Sequence, residues 1–372
     1  MNRGFSLYLD ALRFGAALVV LLSHWAYPRF TEGRWIWIRE LNLGSDAVVI
    51  FFVLSGLVVA FAAQTKDKTA SRFAFQRLTR LWSVAIPALV LTLILDRYGA
   101  AAYPAYYDGW WYHPLGLAET FWYGLSFTSQ WGTDMVRLGT NGPWWSLSYE
   151  AAFYLLFALW LWTSGPRRLG LMALAVLAIG PKVLLLMPAW LMGVWLWHRI
   201  EAGRLPNPTN AAALALGMPV FYALALANGL PQGLTDLSAG LLGLPHTYGF
   251  GFSDEFVWNA LLGAMVTGQI WGMAGLMAHH ARMRSDAIRW LAGGSFSLYL
   301  VHYPVLQILR PVLASNTDGL LGDALLLACT LLVCYAFAAL FERPLPALRK
   351  ALRARLGRRA PVPRDKPAPA RV

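Results

Sequence analysis

The sequence predicts an all-α fold: a polytopic bundle of about ten transmembrane helices with both termini in the cytoplasm. Three observations predict it. Of the 372 residues 58% are hydrophobic, only 13% are charged, and the apolar residues gather into long runs separated by short basic clusters. A soluble domain carries about a quarter charged residues, so the deficit points to lipid as the main solvent. The 18 Trp and 15 Tyr fit that solvent, because amphipathic rings collect at the two membrane interfaces.

A helix needs about 20 apolar residues to cross the hydrocarbon. On that measure the crossings fall at residues 7–27, 45–63, 81–95, 145–163, 169–182, 185–197, 211–227, 256–278, 291–310 and 320–341. The fifth and sixth are short and surround Gly180, Pro181 and Pro188, which reads as a broken or re-entrant element. The first span is retained and is no signal peptide, because Asp10 and Arg13 interrupt its apolar run. Residues 1–345 form the membrane domain, and 346–372, Arg-rich and then Pro- and Ala-rich, are expected to be a disordered cytoplasmic tail on anionic lipid.

Charge sets the orientation. With the N-terminus inside, cytoplasmic segments hold 23 of the 31 Lys and Arg, whereas outer loops hold only Arg29, Arg34, Arg39 and Arg137. The net charge of +12 does not indicate nucleic acid, because the basic residues lie in clusters between apolar runs. Outer loops at 98–143 and 228–255 are expected, the first rich in Trp and Tyr; such rings suit glycans and interfacial anchoring alike. Cys329 and Cys334, five residues apart on one helix, have poor geometry for a disulfide.

Chemistry begins in the first span. Eleven residues separate Arg13 from His24, about 1100° of rotation, so the two share one face roughly 16 Å apart along the axis. Asp10, three residues before Arg13, joins that face. Such a stripe is costly against acyl chains and should face the protein interior or a wet cavity. The structural alternative is an Asp10–Arg13 pair with His24 as an interfacial anchor. His279 and His280 are adjacent and diverge around a helix, so no metal site is expected.

Five motifs then follow in order: Arg13 with His24, the segment 44–56 (GSDAVVIFFVLSG), Arg77 and Arg80 in RFAFQRLTRLW, NGPWWSLSYE ending at Glu150, and SFSLYLVHYP with FERP. Together they resemble the acyltransferase 3 family of membrane O-acyltransferases, over roughly residues 5–345. The proline after the Arg-x-x-Arg element comes late, at Pro87, and no esterase-like soluble domain follows the last span. The chain therefore resembles the family's standalone members, and the resemblance implies a bacterial cytoplasmic membrane.

Depth adds a mechanism. His24, Asp46 and Glu150 fall near the outer ends of three spans and are expected to meet at one level, with Arg13 deeper and Arg77 and Arg80 at the inner mouth. An acyl-CoA, acetyl-CoA for preference, fits that mouth as donor substrate, with no permanently bound cofactor and no metal; its phosphates would lie on Arg77 and Arg80 and its thioester arm would thread toward Arg13, the alternative being that the basic cluster only enforces positive-inside topology. His24 is the candidate base or acyl carrier, Arg13 a stabiliser of charge on the thioester carbonyl, and Asp46 or Glu150 an orienter of the imidazole. Asn141, Trp145, Ser148, Asp10, Tyr299 and His302 are candidate acceptor contacts; capping of the fourth span accounts for Asn141 and Ser148 equally well, and Tyr299 and His302, one turn apart, have the structural alternative of hydrogen-bonding each other. The acceptor is expected to be a hydroxyl of a glycan or glycolipid. The rival reading is a secondary transporter whose intramembrane charges relay protons, although only one broken helix pair is visible where such proteins show two.

Overall fold

The computed structural model describes residues 2–245, 248–278, 285–314 and 319–357. His279, His280 and the tail from 358 lie outside the described residues. Ten principal helices stand where the ten apolar runs were expected: α1 Arg3–Trp25, α2 Leu43–Thr65, α3 Ala70–Ala102, α4 Trp145–Trp162, α5 Gly165–Ile179, α6 Met187–Glu201, α7 Pro208–Ala227, α8 Phe256–Leu276, α9 Ser295–Ala314 and α10 Gly319–Phe337. No strand occurs among the described residues, so the all-α class holds.

Length and hydropathy support six crossings among the described residues: α1, α2, α3, α7, the stretch Pro181–Glu201 that contains α6, and Gly319–Arg355 that begins with α10. The count of ten is not reached on this measure; α4, for example, has 18 residues and α5 only 15. The expected tail also differs: residues Leu345–Gly357 continue as a helix, held to α3 by Arg349, which donates to Gln76 O and Thr79 Oγ1.

Local chemistry explains the helix ends. Asn2 caps α1 by accepting from Phe5 N at 2.8 Å, and Thr69 caps α3 by accepting from Arg72 N. The break between α5 and the short helix Pro181–Leu184 lies at Gly180, whose φ of +81° is open to glycine and whose Cβ would meet Gly132 backbone at 3.1 Å. The expected broken element is thus present. At 33 residues, α3 is about 50 Å long, so it outreaches the hydrocarbon and carries Arg72, Arg77 and Arg80 in its first turns.

Close approach organises the packing. A Cβ on Gly56 of α2 would sit 2.0 Å from Trp190 O, and one on Gly193 of α6 would sit 2.0 Å from Val53 O. Each helix lays its backbone on the other's glycine, the small-residue packing that lipid favours because apolar burial drives nothing there. α1 packs between α2 and α9, and α9 also packs on α3 and α10. The four helices α1, α2, α3 and α9, with the start of α4, surround the polar interior.

The glycine contacts make a sharp test. Gly193→Leu should lower the thermal unfolding midpoint of the detergent-solubilised protein by several degrees, while the exposed Gly217→Leu, with open space around it, leaves it unchanged.

Candidate active site

Two cavities lie on the polar face of α1. The first opens among Arg13 of α1, Val48, Phe51 and Ser55 of α2, Arg77 and Arg80 of α3, Glu150 and Tyr154 of α4, and Phe296 and Tyr299 of α9. It occupies the half of the bundle toward the N-terminal end of α1. Arg13 donates to Asp10 Oδ1 and to Ala292 O, each at 3.1 Å, and Arg80 donates to Glu342 Oε1 at 2.9 Å. Glu342 also accepts from Ser297 N at 2.8 Å. It ends a π-helical turn, Ala338–Glu342, whose wider winding departs from the pattern of α10. Arg77 pairs with Asp67 at 3.4 Å. Among the described residues, Nε of Arg13 and Nε of Arg77 are buried with no hydrogen-bond partner, so neither guanidinium is fully satisfied by the protein.

The second cavity lies at the opposite end, among His24 and Tyr27, Arg39, Asn42, Ser45 and Val48, Trp110, Arg137, Pro143, Trp145, Phe252, Tyr299 and Tyr303. His24 is partly buried, and its Nδ1 lies 2.8 Å from Nε2 of the fully buried His302. His302 Nδ1 lies 2.8 Å from Leu298 O. A carbonyl only accepts, so His302 Nδ1 carries the hydrogen, its Nε2 accepts, and His24 Nδ1 must donate. In this neutral pair the remaining lone pair belongs to His24 Nε2. Outside the spans, burial holds the Arg29 guanidinium below its ordinary range against the pull of Tyr303, to which it donates.

Val48 and Tyr299 line both cavities, so the chambers meet at that pair. The Tyr299 hydroxyl is tied to Ser146 Oγ at 2.7 Å and Pro143 O at 3.1 Å, and its ring meets Phe51 edge-on. It does not hydrogen-bond His302, as the one-turn spacing suggested; those partners draw the hydroxyl toward the start of α4.

The expected meeting of His24, Asp46 and Glu150 does not occur. Glu150 belongs to the first cavity, where Ser55 donates to it at 2.8 Å and Tyr154 also donates to it. Asp46 lies on the other side of α2, because nine residues separate it from Ser55, about two and a half turns. There Tyr222 and Trp258 donate to it at 2.7 and 2.8 Å, at the edge of a third, mostly apolar cavity between α1, α2, α7 and α8. Neither carboxylate reaches the His24 imidazole; His302 takes that place.

Of the acceptor candidates, Trp145 lines the second cavity, stacked on Phe252 with centroids 4.0 Å apart. Asn141 is buried and donates to Thr92 Oγ1 and Leu300 O, and Ser148 is buried against Ser129. Both pin the start of α4, and neither lines the first or the second cavity. Asp10 serves Arg13. Sequence reasoning passed over Ser55, Tyr154, Phe296, Tyr303 and Glu342. Glu342 stood in the quoted FERP motif, and Arg39 and Arg137 were visible as rare basic residues in outer loops.

The acyltransferase domain model of the acyltransferase 3 family matches residues 6–339, and the chain belongs to that family. It is 29% identical over 331 residues to acyltransferase MdmB of Streptomyces mycarofaciens, covering 80% of this chain and 78% of that one. It is 23% identical to the peptidoglycan O-acetyltransferase OatA of Listeria monocytogenes, over 91% of this chain and 55% of that protein. Nodulation protein 10 of Rhizobium leguminosarum is 28% identical over 189 residues, 47% of this chain and 50% of that one. The chain thus spans about half the length of the second and third of these relatives. No solved structure matches. The protein is an integral membrane acyltransferase.

The histidine pair predicts a spectroscopic result. With ¹⁵N-labelled histidine, His24 should show a protonated Nδ1 and a bare Nε2, and His302→Phe should scramble that preference; a protonated Nε2 on His24 in the unchanged protein would contradict the hydrogen-bond chain.

Proposed function

We propose that this protein moves an acyl group, acetyl for preference, from a cytoplasmic acyl-CoA to a hydroxyl of a carbohydrate or glycolipid at the opposite face of a bacterial cytoplasmic membrane. The observation that carries the proposal is the pair of cavities meeting at Val48 and Tyr299, one lined by Arg13, Arg77 and Arg80 and the other holding His24. A basic vestibule suits the phosphates of coenzyme A, because guanidinium forks bind phosphate in two-point contacts. The bias of Lys and Arg toward the terminus-bearing side supports a cytoplasmic vestibule. The O-acetyl transfer in the name of OatA supports a sugar hydroxyl as acceptor.

The geometry supports the following reaction. The donor's phosphates rest on Arg77 and Arg80, and its extended arm runs along α1 past Arg13 toward Tyr299. Arg13 and His24 are about 16 Å apart along the helix, so they do not act on one carbonyl; Arg13 holds the arm and does not stabilise the developing oxyanion. His24 Nε2 takes the proton of the acceptor hydroxyl as its oxygen attacks the thioester carbonyl. The C–S bond breaks, the thiolate leaves, and the imidazolium returns the proton to it. His302, fixed by Leu298 O, keeps the His24 ring turned so that Nε2 faces the cavity. Tyr299 must swing for the thioester to reach His24, and its tether to Ser146 and Pro143 sets the resting position.

Acetyl transfer by purified protein in liposomes, with labelled acetyl-CoA supplied at the Arg77 and Arg80 face, tests the proposal. His24→Ala should reduce kcat by about 10²- to 10⁴-fold. Arg80→Ala should raise the KM for donor about tenfold with a smaller effect on kcat. Transfer undiminished by both His24→Ala and Arg13→Ala would refute the assignment.

A further inference from the structure

The cavity that holds His24 is cationic in a way that acyl transfer to a neutral sugar does not require. Arg39 and Arg137 come from unrelated segments, the helix Ile36–Glu40 and the loop before α4, and both line it. Among the described residues, no Asp or Glu lines it. Among the described residues neither guanidinium has an ion-pair partner, in contrast to Arg13, Arg34, Arg77 and Arg80. Arg39 donates to Ser23 Oγ at 3.2 Å, and Arg137 donates to Thr140 O at 3.4 Å and leaves its buried Nε unsatisfied.

The neighbouring carboxylates are occupied elsewhere. Asp96, which feels the charge of Arg137, accepts from Thr140 N at 2.8 Å and from Thr140 Oγ1 at 2.6 Å. Glu255 accepts from Asn42 at 2.9 Å, and burial with Asp46 beside it pushes its carboxyl above the ordinary range. What the two guanidinium groups do meet is aromatic: Arg39 lies 4.6 Å from the Tyr27 centroid, and Arg137 lies 5.4 Å from Trp110 and 5.3 Å from Tyr303. Arg29 stands behind them on Tyr27 and Tyr303, adding a third positive charge. Ring faces hold a guanidinium in place from one side and leave its edge, where the N–H donors point, for a ligand.

We infer that the acceptor is anionic: a hydroxylated ring bearing a carboxylate or a phosphate, whose negative group is taken by Arg39 and Arg137 while its hydroxyl is presented to His24. The flat wall of Trp145 stacked on Phe252 and the rings of Tyr27, Trp110 and Tyr303 supply apolar faces for the sugar's C–H surface. Charge selection of this kind gives the enzyme a way to choose among surface hydroxyls that a bare aromatic cleft lacks, because a site with two fixed positive charges is penalised when a neutral ligand leaves them unpaired. The inference rests on the reading of the His24 cavity as the acceptor site.

Donor-free binding separates the two claims, since it needs no chemistry. The full-length protein in detergent is titrated calorimetrically with methyl glucuronide, glucose 6-phosphate and methyl glucoside. At least one anionic probe should bind about tenfold or more tightly than the neutral glucoside, and added salt should weaken that preference. Arg39→Gln and Arg137→Gln should each erase most of the preference, while Arg39→Lys and Arg137→Lys restore part of it and show that the fold survives. Equal binding of all three probes, binding of none, or anionic preference unchanged in both Gln variants would overturn the inference. Loss of acetyl transfer by the unchanged protein would instead count against the acyltransfer reading, and the binding result stands apart from it.

Discussion

Hydrocarbon offers no hydrogen bonds, and that constraint decides where each polar side chain of this bundle lies. An ionisable group in a spanning helix must find a partner in protein or line a wet cavity. Arg13 finds Asp10 and Ala292 O, Arg80 finds Glu342, Glu150 finds Ser55 and Tyr154, and Asp46 finds Tyr222 and Trp258. The partners use up most of the capacity of these groups. Around the two cavities, among the described residues, what is left over includes the bare Nε of Arg13 and Arg77, the free lone pair of His24, and the unsatisfied Nε of Arg137. Those unspent donors and acceptors trace a line through the protein, from the vestibule to the opposite chamber.

The same constraint explains why two chambers serve better than one. A single open channel wide enough for a thioester arm and a sugar would also conduct water and ions across the membrane. Tyr299 closes the middle with an apolar ring and satisfies its own hydroxyl on Ser146 and Pro143, so the closed state leaves no polar group stranded. In the proposed reaction, motion of the Tyr299 side chain alone would connect donor to base without separating helices. The packing around it is correspondingly firm, since α2 and α6 are locked by reciprocal glycine contacts at Gly56 and Gly193.

How much of this could be read from residues alone depended on whether a relation was local to one helix. Arg13 and His24 share α1, so rotation and rise were enough to place them on one face, and Arg77 and Arg80 declared themselves by sitting in the first turns of a long helix. The ten apolar runs located the helices, although length and hydropathy support only six as crossings. Relations between helices were not legible. The error over Asp46 shows why: depth can be counted along a span, but the side of the helix that faces the site depends on its neighbours, and half a turn sent Asp46 to α7 and α8. His302 as the partner of His24 was equally hidden, because 278 residues separate them and nothing in either motif names the other.

In the proposed reaction, having a histidine and not a carboxylate behind the His24 imidazole has a physical consequence. An aspartate there would add a negative charge to a chamber walled by Arg39 and Arg137, and would compete with an anionic acceptor for those guanidinium groups. Neutral His302 gives the ring the same orientation through a hydrogen bond to Leu298 O while leaving the positive field of the chamber intact. On this proposal the absence of a carboxylate from the described lining of the cavity and the use of an imidazole to hold His24 are two sides of one arrangement, in which orientation comes from the backbone and the charge of the site is kept for the proposed anionic acceptor.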